Sequence, residues 1–155
     1  MKDYLTELDH AVKAIPLDQV KQLAELIYET SQKGKTVYLF GNGDSANNAF
    51  HFACDLSKGT ITSGKKRMRL VCLNENVAIM TAWGNDESFE SIFKQQLENL
   101  AVSGDLVIGI TTSGNSPNVL RAFEYANSMG LTTIFERSCS GQMAIRVGIS
   151  RTSNR

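Results

Sequence analysis

Two short polar loops in this 155-residue chain have the composition of an anion-binding site. The first is GNGDSAN (Gly41 to Asn47), the second is TTSGNSPN (Thr111 to Asn118), and a helical pattern begins in each. Glycines let the backbone approach a bound group closely, hydroxyl groups donate to anionic oxygens, and a helix N-terminus presents unpaired N–H groups. The two loops therefore predict a phosphate-binding site.

Neither loop matches a nucleotide-binding pattern. Neither loop contains the Gly-Lys-Ser/Thr of a P-loop, and Ala46 occupies the position of the third glycine in the dinucleotide pattern G-x-G-x-x-G. The alternative interpretation is that Ser45 and Ser116 only cap their helices, a position that serine favours. Because similar loops follow two strand-like segments, we favour phosphate binding.

A second group of residues, with side chains that can bind a metal or transfer a proton, lies on the helical pattern after the first loop. Asn47, His51 and Asp55 are four residues apart, so His51 and Asp55 can converge on one metal ion or one substrate carbon. The alternative is a surface histidine beside a solvated carboxylate. His10 has only an amphipathic helix around it, and we interpret it as structural.

Composition excludes several classes of protein. Basic and acidic residues number 16 each, so no global basic field favours nucleic acid as a direct ligand. The three cysteines, Cys54, Cys72 and Cys139, lack C-x-x-C spacing and are interpreted as reduced thiols. No apolar run approaches the roughly 20 residues that span a bilayer. We therefore expect a cytoplasmic protein without a membrane segment.

Hydrophobic patterning predicts an alternating α/β order. The expected strands are Thr36–Gly41, Met68–Leu73 and Asp105–Thr111, and the expected helices between and after them are Ala46–Ser57, Ser88–Leu100 and Pro117–Ser128. Two further amphipathic helices, Asp3–Ala14 and Leu17–Lys33, precede the first strand. This order predicts right-handed crossovers and a layered parallel sheet, with ligands beyond the carboxyl ends of its strands.

Three segments carry a resemblance to a known family. They are GNGDSANNAFHFACDL, WGNDESFESIFKQQLENL and GDLVIGITTSGNSPNVLRAFEYANSMGLTTI, which lie between Lys35 and Ile134. The chain resembles a sugar isomerase (SIS) domain, and specifically the phosphoheptose isomerase family. The resemblance implies a flavodoxin-like α/β/α sandwich over residues 35–155, preceded by oligomerisation helices over 1–34. It also implies a homotetramer with sites at subunit interfaces.

The same resemblance implies an activity and a role for individual residues. The family interconverts sedoheptulose 7-phosphate and D-glycero-D-manno-heptose 7-phosphate through an enediol, often with bound zinc. His51 matches a zinc ligand, and Asp55 falls where the family has a glutamate that is both ligand and general base. The residues that match substrate-binding positions are Asn42, Gly43, Ser45, Asn85, Asp86, Thr111, Thr112, Ser113 and Ser116.

The chain also departs from the family pattern. Asp44 replaces a small residue beside the expected anion site, and Asp55 is one methylene shorter than glutamate. The family continues into a terminal helix whose glutamine and histidine complete the site, whereas Phe135 to Arg155 is rich in arginine and serine. We expect this segment to be atypical or incomplete and poor material for a last core strand.

Three functions remain open at this point. The first is a phosphoheptose isomerase, which the His-Phe-Ala segment and the Asn85-Asp86 pair favour. The second is a regulatory SIS protein that binds a sugar phosphate without catalysis, which Asp44, Asp55 and the expected lack of the family's terminal helix favour. The third is an assembly protein similar to the SIS members that associate with a replication initiator.

Overall fold

The computed structural model describes residues 2–139 and 142–149. In chain order its elements are α1 (Lys2–Lys13), α2 (Leu17–Gln32), β1 (Thr36–Gly41), α3 (Asp44–Gly59), β2 (Arg69–Cys72), α4 (Val77–Asp86), α5 (Ile92–Leu100), β3 (Leu106–Thr111), α6 (Pro117–Ser128), β4 (Thr132–Cys139) and β5 (Gln142–Ile149). From α1 to α6 the elements follow the order predicted from the sequence except for α4, and β4 and β5 were not predicted.

The five strands form one sheet in the order β2-β1-β3-β4-β5. Strands β1 to β4 pair in parallel, and β5 pairs antiparallel with β4. Every residue of β1 and β3 is buried, as expected for central strands covered on both faces. The continuous apolar runs in the sequence therefore correspond to the middle of the sheet.

Alternate residues of β1 enter two different hydrophobic cores. Val37 and Leu39 pack with α2 and α3, whereas Tyr38 and Phe40 pack with α5 and α6. The rings of Phe40 and Phe93 stack with centroids 4.8 Å apart. Helices thus cover both faces of the sheet, which confirms the predicted α/β/α sandwich.

The expected elements between β2 and β3 were only partly right. Helix α4 was not predicted, and α5 begins at Ile92 rather than at Ser88. Ser88 and Ser91 form a turn before α5, in which the Ser91 hydroxyl donates to the Ser88 carbonyl at 2.8 Å. Serine side chains compete for backbone groups in this way, so the helical pattern extends further than the helix.

The expectation that the C-terminal segment is poor material for a core strand was wrong for the residues that the structure describes, whereas its description as atypical or incomplete stays a prediction. Residues 132–139 and 142–149 form the β4–β5 hairpin, with Ile134 opposite Val147 and Glu136 opposite Ile145. Apolar residues recur at every second position of β5, the strand period, and pairing with β4 satisfies backbone groups. Residues 150–155, the end of the segment expected to be atypical, lie outside the described residues.

The two N-terminal helices differ in their surroundings. Ile27 of α2 is buried in the core beneath the sheet, whereas α1 leaves an apolar stripe of Tyr4, Leu5, Leu8 and Val12 exposed. Within the described residues, no helix is long and apolar enough to cross a membrane. The assignment of residues 1–34 to oligomerisation stays a prediction.

Candidate functional site

The candidate site lies where the connections from neighbouring strands diverge. From β1 the chain crosses to β2 on one side of the sheet, while β3 lies on the other side of β1. The loop after β1 leads to α3 on one face, and the loop after β3 leads to α6 on the opposite face. Such a switch point leaves a crevice beyond the carboxyl ends of the strands, the usual place for a ligand in an open α/β sheet.

The loop after β1 needs glycine at two positions. A Cβ on Gly41 would lie 2.8 Å from the carbonyl oxygen of Ile110 and equally close to the backbone of Ser45. Gly43 precedes α3 with a φ of 55°, a conformation that glycine adopts without strain. Because Gly41 has no side chain, the first turn of α3 can pack against the end of β3.

The loop after β3 is folded by its own hydroxyl groups. The Thr111 hydroxyl accepts the Gly114 N–H at 3.2 Å, and the Ser113 hydroxyl accepts the Asn115 N–H at 3.2 Å. The Ser113 and Ser116 hydroxyl oxygens lie 3.5 Å apart, close enough to share one anionic oxygen. Thr112 is exposed in the same loop.

The capping interpretation of the serines finds no support in the hydrogen bonds. Gly43, not Ser45, is the N-cap of α3. Ser116 is the N-cap of α6, but its side chain makes no capping hydrogen bond. Ser45 is buried in the first turn of α3, and its N–H donates to the Asn42 carbonyl at 3.0 Å.

Two asparagines that the sequence reasoning did not select hold the first loop. Asn118 exchanges two side-chain hydrogen bonds with Asn42, of 2.9 and 2.8 Å, and so joins the two loops. The Asn74 amide accepts the Gly41 N–H at 3.1 Å and donates to the Gly41 carbonyl at 2.9 Å. Asn74 lies just past the end of β2, and Asn118 lies in the first turn of α6. A polar residue at such a position is a signal by which the sequence could have identified both.

The Asn85-Asp86 pair is hydrogen-bonded internally. Both residues are exposed at the C-terminal end of α4, where the Asn85 side chain donates to the Asp86 carboxylate at 2.8 Å. Within the described part of the chain, no hydrogen bond connects the pair to either loop. Their predicted contact with sugar hydroxyls stays a prediction.

His51 and Asp55 form a pair on the outer side of α3. The inner side of this helix is marked by buried Ser45, Ala49 and Ala53. Nε2 of His51 lies 3.3 Å from Oδ2 of Asp55, with side-chain exposures of 78% and 64%. At a rise of about 1.5 Å per residue, His51 lies about 10 Å along the helix from Asp44. In one copy of the chain, this pair and the two loops therefore face different spaces.

The pair has donor atoms of the kinds that zinc binds, but too few of them for a site. Two donors 3.3 Å apart suit one tetrahedral ion, since zinc binds histidine nitrogen and carboxylate oxygen at about 2.0 to 2.2 Å. Zinc sites use at least three protein ligands. No group of three histidine, cysteine, aspartate or glutamate side chains could hold a metal within residues 2–139 and 142–149. These residues alone do not fit a zinc ion, and we assign it no step.

One more titratable group lies near the second loop. Glu136 of β4 is in register with Ile110, the residue before Thr111. Burial raises the pKa of its carboxyl above the usual range because desolvation disfavours the charged form. The sequence reasoning missed this residue because it lies in the segment that was expected to form no core strand.

The fold and the loops together define a SIS domain. A family model of this domain matches residues 2–135. The phosphoheptose isomerase of Helicobacter pylori is 36% identical over 86% of this chain and 70% of its own length. The phosphoheptose isomerase of Aquifex aeolicus is 43% identical over 75% of this chain.

A solved structure agrees with these sequence relatives. The phosphoheptose isomerase of Francisella tularensis has a TM-score of 0.80 and 29% identity, over 91% of this chain and 73% of that one. The chain therefore belongs to the phosphoheptose isomerase family of SIS domain proteins. It spans 60% of the length of the Aquifex aeolicus relative.

Proposed function

We propose that this chain is an aldose–ketose isomerase that interconverts sedoheptulose 7-phosphate and D-glycero-D-manno-heptose 7-phosphate. One observation carries the proposal: two loops of glycine and hydroxyl residues meet at the β1–β3 switch point in a member of this family. Ser45, Ser113 and Ser116, with the backbone N–H groups beside them, bind the phosphate end of the sugar. This arrangement leaves the carbonyl end free for proton transfer.

The proton transfer is assigned to Asp55 with His51 beside it. Aldose–ketose exchange moves a proton between C1 and C2 through an enediol, and a carboxylate can remove and return that proton. His51, whose Nε2 lies 3.3 Å from Oδ2 of Asp55, orients the Asp55 carboxylate. Both side chains are exposed in one chain, so water must be excluded from them by another surface.

A second copy of the chain supplies that surface in this proposal. The apolar stripe of α1 is exposed, and an apolar groove of about 290 Å³ lies between α2 and α3. The groove is lined by Val20, Leu23, Ala24, Ile27, Phe52, Leu56 and Met68. Burying these faces between copies favours a tetramer of paired dimers. A ligand in the loops of one copy would then reach the His51–Asp55 pair of another.

We include a bound zinc ion in the proposal only for such an assembly of several chains. A third ligand must come from outside the described residues of one chain, because these provide His51 and Asp55 alone at this position. Metal analysis of the purified assembly, compared with the His51→Ala variant, tests this part separately. A cytoplasmic location, expected from the sequence, likewise stays a prediction.

The decisive experiment supplies sedoheptulose 7-phosphate to the purified chain in deuterated water. An enediol mechanism places solvent deuterium at the carbon that exchanges its proton, which nuclear magnetic resonance detects even when net turnover is slow. Deuterium in the aldose product supports the proposal. Saturable binding of the ketose without exchange would instead identify a non-catalytic, sugar-phosphate-binding regulator.

A further inference from the structure

The amide pair between Asn42 and Asn118 joins segments that are 76 residues apart in sequence. Nδ2 of Asn42 donates to Oδ1 of Asn118 at 2.9 Å, and Nδ2 of Asn118 donates to Oδ1 of Asn42 at 2.8 Å. Asn118 is 2% exposed, and Asn42 is half-buried. A pair that uses both amides in this way fixes the distance and the angle between its two segments.

Each partner is itself tied to the loop that it belongs to. Oδ1 of Asn118 also accepts the N–H of Val119 at 3.0 Å, a donor in the first turn of α6 that is shared with the Ser116 carbonyl. On the other side, the Asn42 carbonyl accepts the Ser45 N–H, and Asn74 holds Gly41 by two hydrogen bonds. The pair therefore connects the first turn of α3 to the first turn of α6.

We propose that Asn118 is a positioning residue, which holds the β1 loop through Asn42 so that both loops meet one phosphate group as a preformed unit. This inference rests on the proposed function and deepens it. A loop with glycines at positions 41 and 43 has many conformations when it is free, and ordering it during binding would weaken affinity. The amide pair orders the loop in the free protein, so the entropy cost of ordering it does not reduce the binding affinity.

The role differs from direct contact with the ligand. The reciprocal pair occupies the side-chain oxygen Oδ1 of Asn42 and one of the two N–H groups on its Nδ2. Asn42 therefore acts on the phosphate chiefly through the position of its loop. If both asparagines act through one pair, removing either side chain breaks the same connection. The two losses then do not multiply, whereas two independent ligand contacts would multiply.

The test measures the affinity of the full chain for inorganic phosphate by calorimetry. We expect Asn118→Ala and Asn42→Ala each to weaken binding about tenfold, and the double variant to be no weaker than either single variant. Asn118→Ser keeps a polar group at the buried position but cannot reach Asn42, so it is the second variant if alanine prevents folding. With sedoheptulose 7-phosphate, KM should rise more than kcat falls.

Thr133→Val is the matched control. Thr133 is buried, and its hydroxyl donates to Asn127 at 3.1 Å, so its loss lowers stability without touching the loops. We expect unchanged phosphate affinity in this variant. Unchanged affinity in Asn118→Ala, or a double variant with multiplied losses, overturns the inference while the proposed function stands. Failure of the unaltered chain to bind either phosphate or the sugar phosphate overturns both.

Discussion

Gly41 lies so close to Ile110 that a Cβ on the glycine would come within 2.8 Å of the Ile110 carbonyl oxygen. The contact is between backbone atoms of neighbouring strands at the floor of the crevice, so neither side chain can move to relieve it. It explains why the chain has a glycine where β1 ends and the first loop begins.

The first prediction follows from this contact. Gly41→Ala should lower the free energy of unfolding by about 1 to 3 kcal/mol, the usual effect of overpacking a buried site. It should also weaken sugar-phosphate binding, because the first turn of α3 must move. Gly59→Ala is the control, since a Cβ there meets no atom within 4 Å. Chemical denaturation that shows equal stability for both variants would contradict the contact.

The second prediction concerns the hydroxyl groups of the β3 loop. Ser113→Ala or Ser116→Ala should each weaken sugar-phosphate binding by about 1 to 3 kcal/mol, the range for hydrogen bonds to charged groups. Ser128→Ala provides a control in α6, because its hydroxyl donates to the Tyr125 carbonyl at the far end of the helix. Calorimetry with unchanged affinity in both loop variants would remove these serines from the phosphate site.

The third prediction concerns Asp55 as the general base. Asp55→Asn should reduce deuterium exchange by about 10²- to 10⁴-fold, the contribution of one positioned acid or base. Binding of the sugar phosphate should change little, because the phosphate loops are intact. Glu98→Gln is a matched control: Glu98 also forms an exposed i,i+4 ion pair, with Lys94, but on α5. Full exchange activity in Asp55→Asn would exclude this residue as the base.

The fourth prediction is a dependence of stability on pH at Glu136. Burial raises the pKa of this carboxyl, so the folded chain keeps the proton at pH values where the unfolded chain has lost it. Its effect on stability therefore becomes more unfavourable as pH rises from the ordinary glutamate pKa through the raised value.

Glu136→Gln removes this charge, so the variant should melt at a higher temperature than the unaltered chain at pH 8. The difference should shrink at pH 4, where the carboxyl is protonated in the folded state. Glu124→Gln, at an exposed position of α6, is the control. A gain in melting temperature that is the same at both pH values would contradict the desolvation of Glu136.

The fifth prediction tests the assembly. The unaltered chain should sediment as a tetramer at micromolar concentration, and Leu8→Asp should give smaller species by placing a charge on the apolar stripe of α1. His10→Asp adds a negative charge to the opposite side of the same helix and should leave the tetramer intact. A monomer in the unaltered chain, or equal dissociation in both variants, would contradict the proposed interface.

Local sequence patterns were sufficient to predict the bounds of two central elements. β1 has the predicted bounds Thr36–Gly41 and α6 the predicted bounds Pro117–Ser128, because buried strands need continuous apolar residues and a proline starts a helix readily. The two loops could be selected because glycine, serine and threonine at a strand end have few structural alternatives. The resemblance to the phosphoheptose isomerase family rests on the same residues.

Pairing over long distances in the chain could not be derived from these patterns. The β4–β5 hairpin exists because β4 offers a free edge to the next strand, a property of the sheet rather than of residues 142–149 alone. The raised pKa of Glu136 follows from that packing, since only burial can desolvate the carboxyl.

The sequence by itself determined which residues have the chemistry for a sugar-phosphate site: the loop serines and threonines, His51 and Asp55. Only the tertiary structure decided which of them lie together. It joins the two loops through Asn42 and Asn118 and places the His51–Asp55 pair on the outer side of α3. The physical reason is that helical spacing aligns residues four apart, whereas the relative position of two loops depends on strand order and on side chains that meet across the sheet.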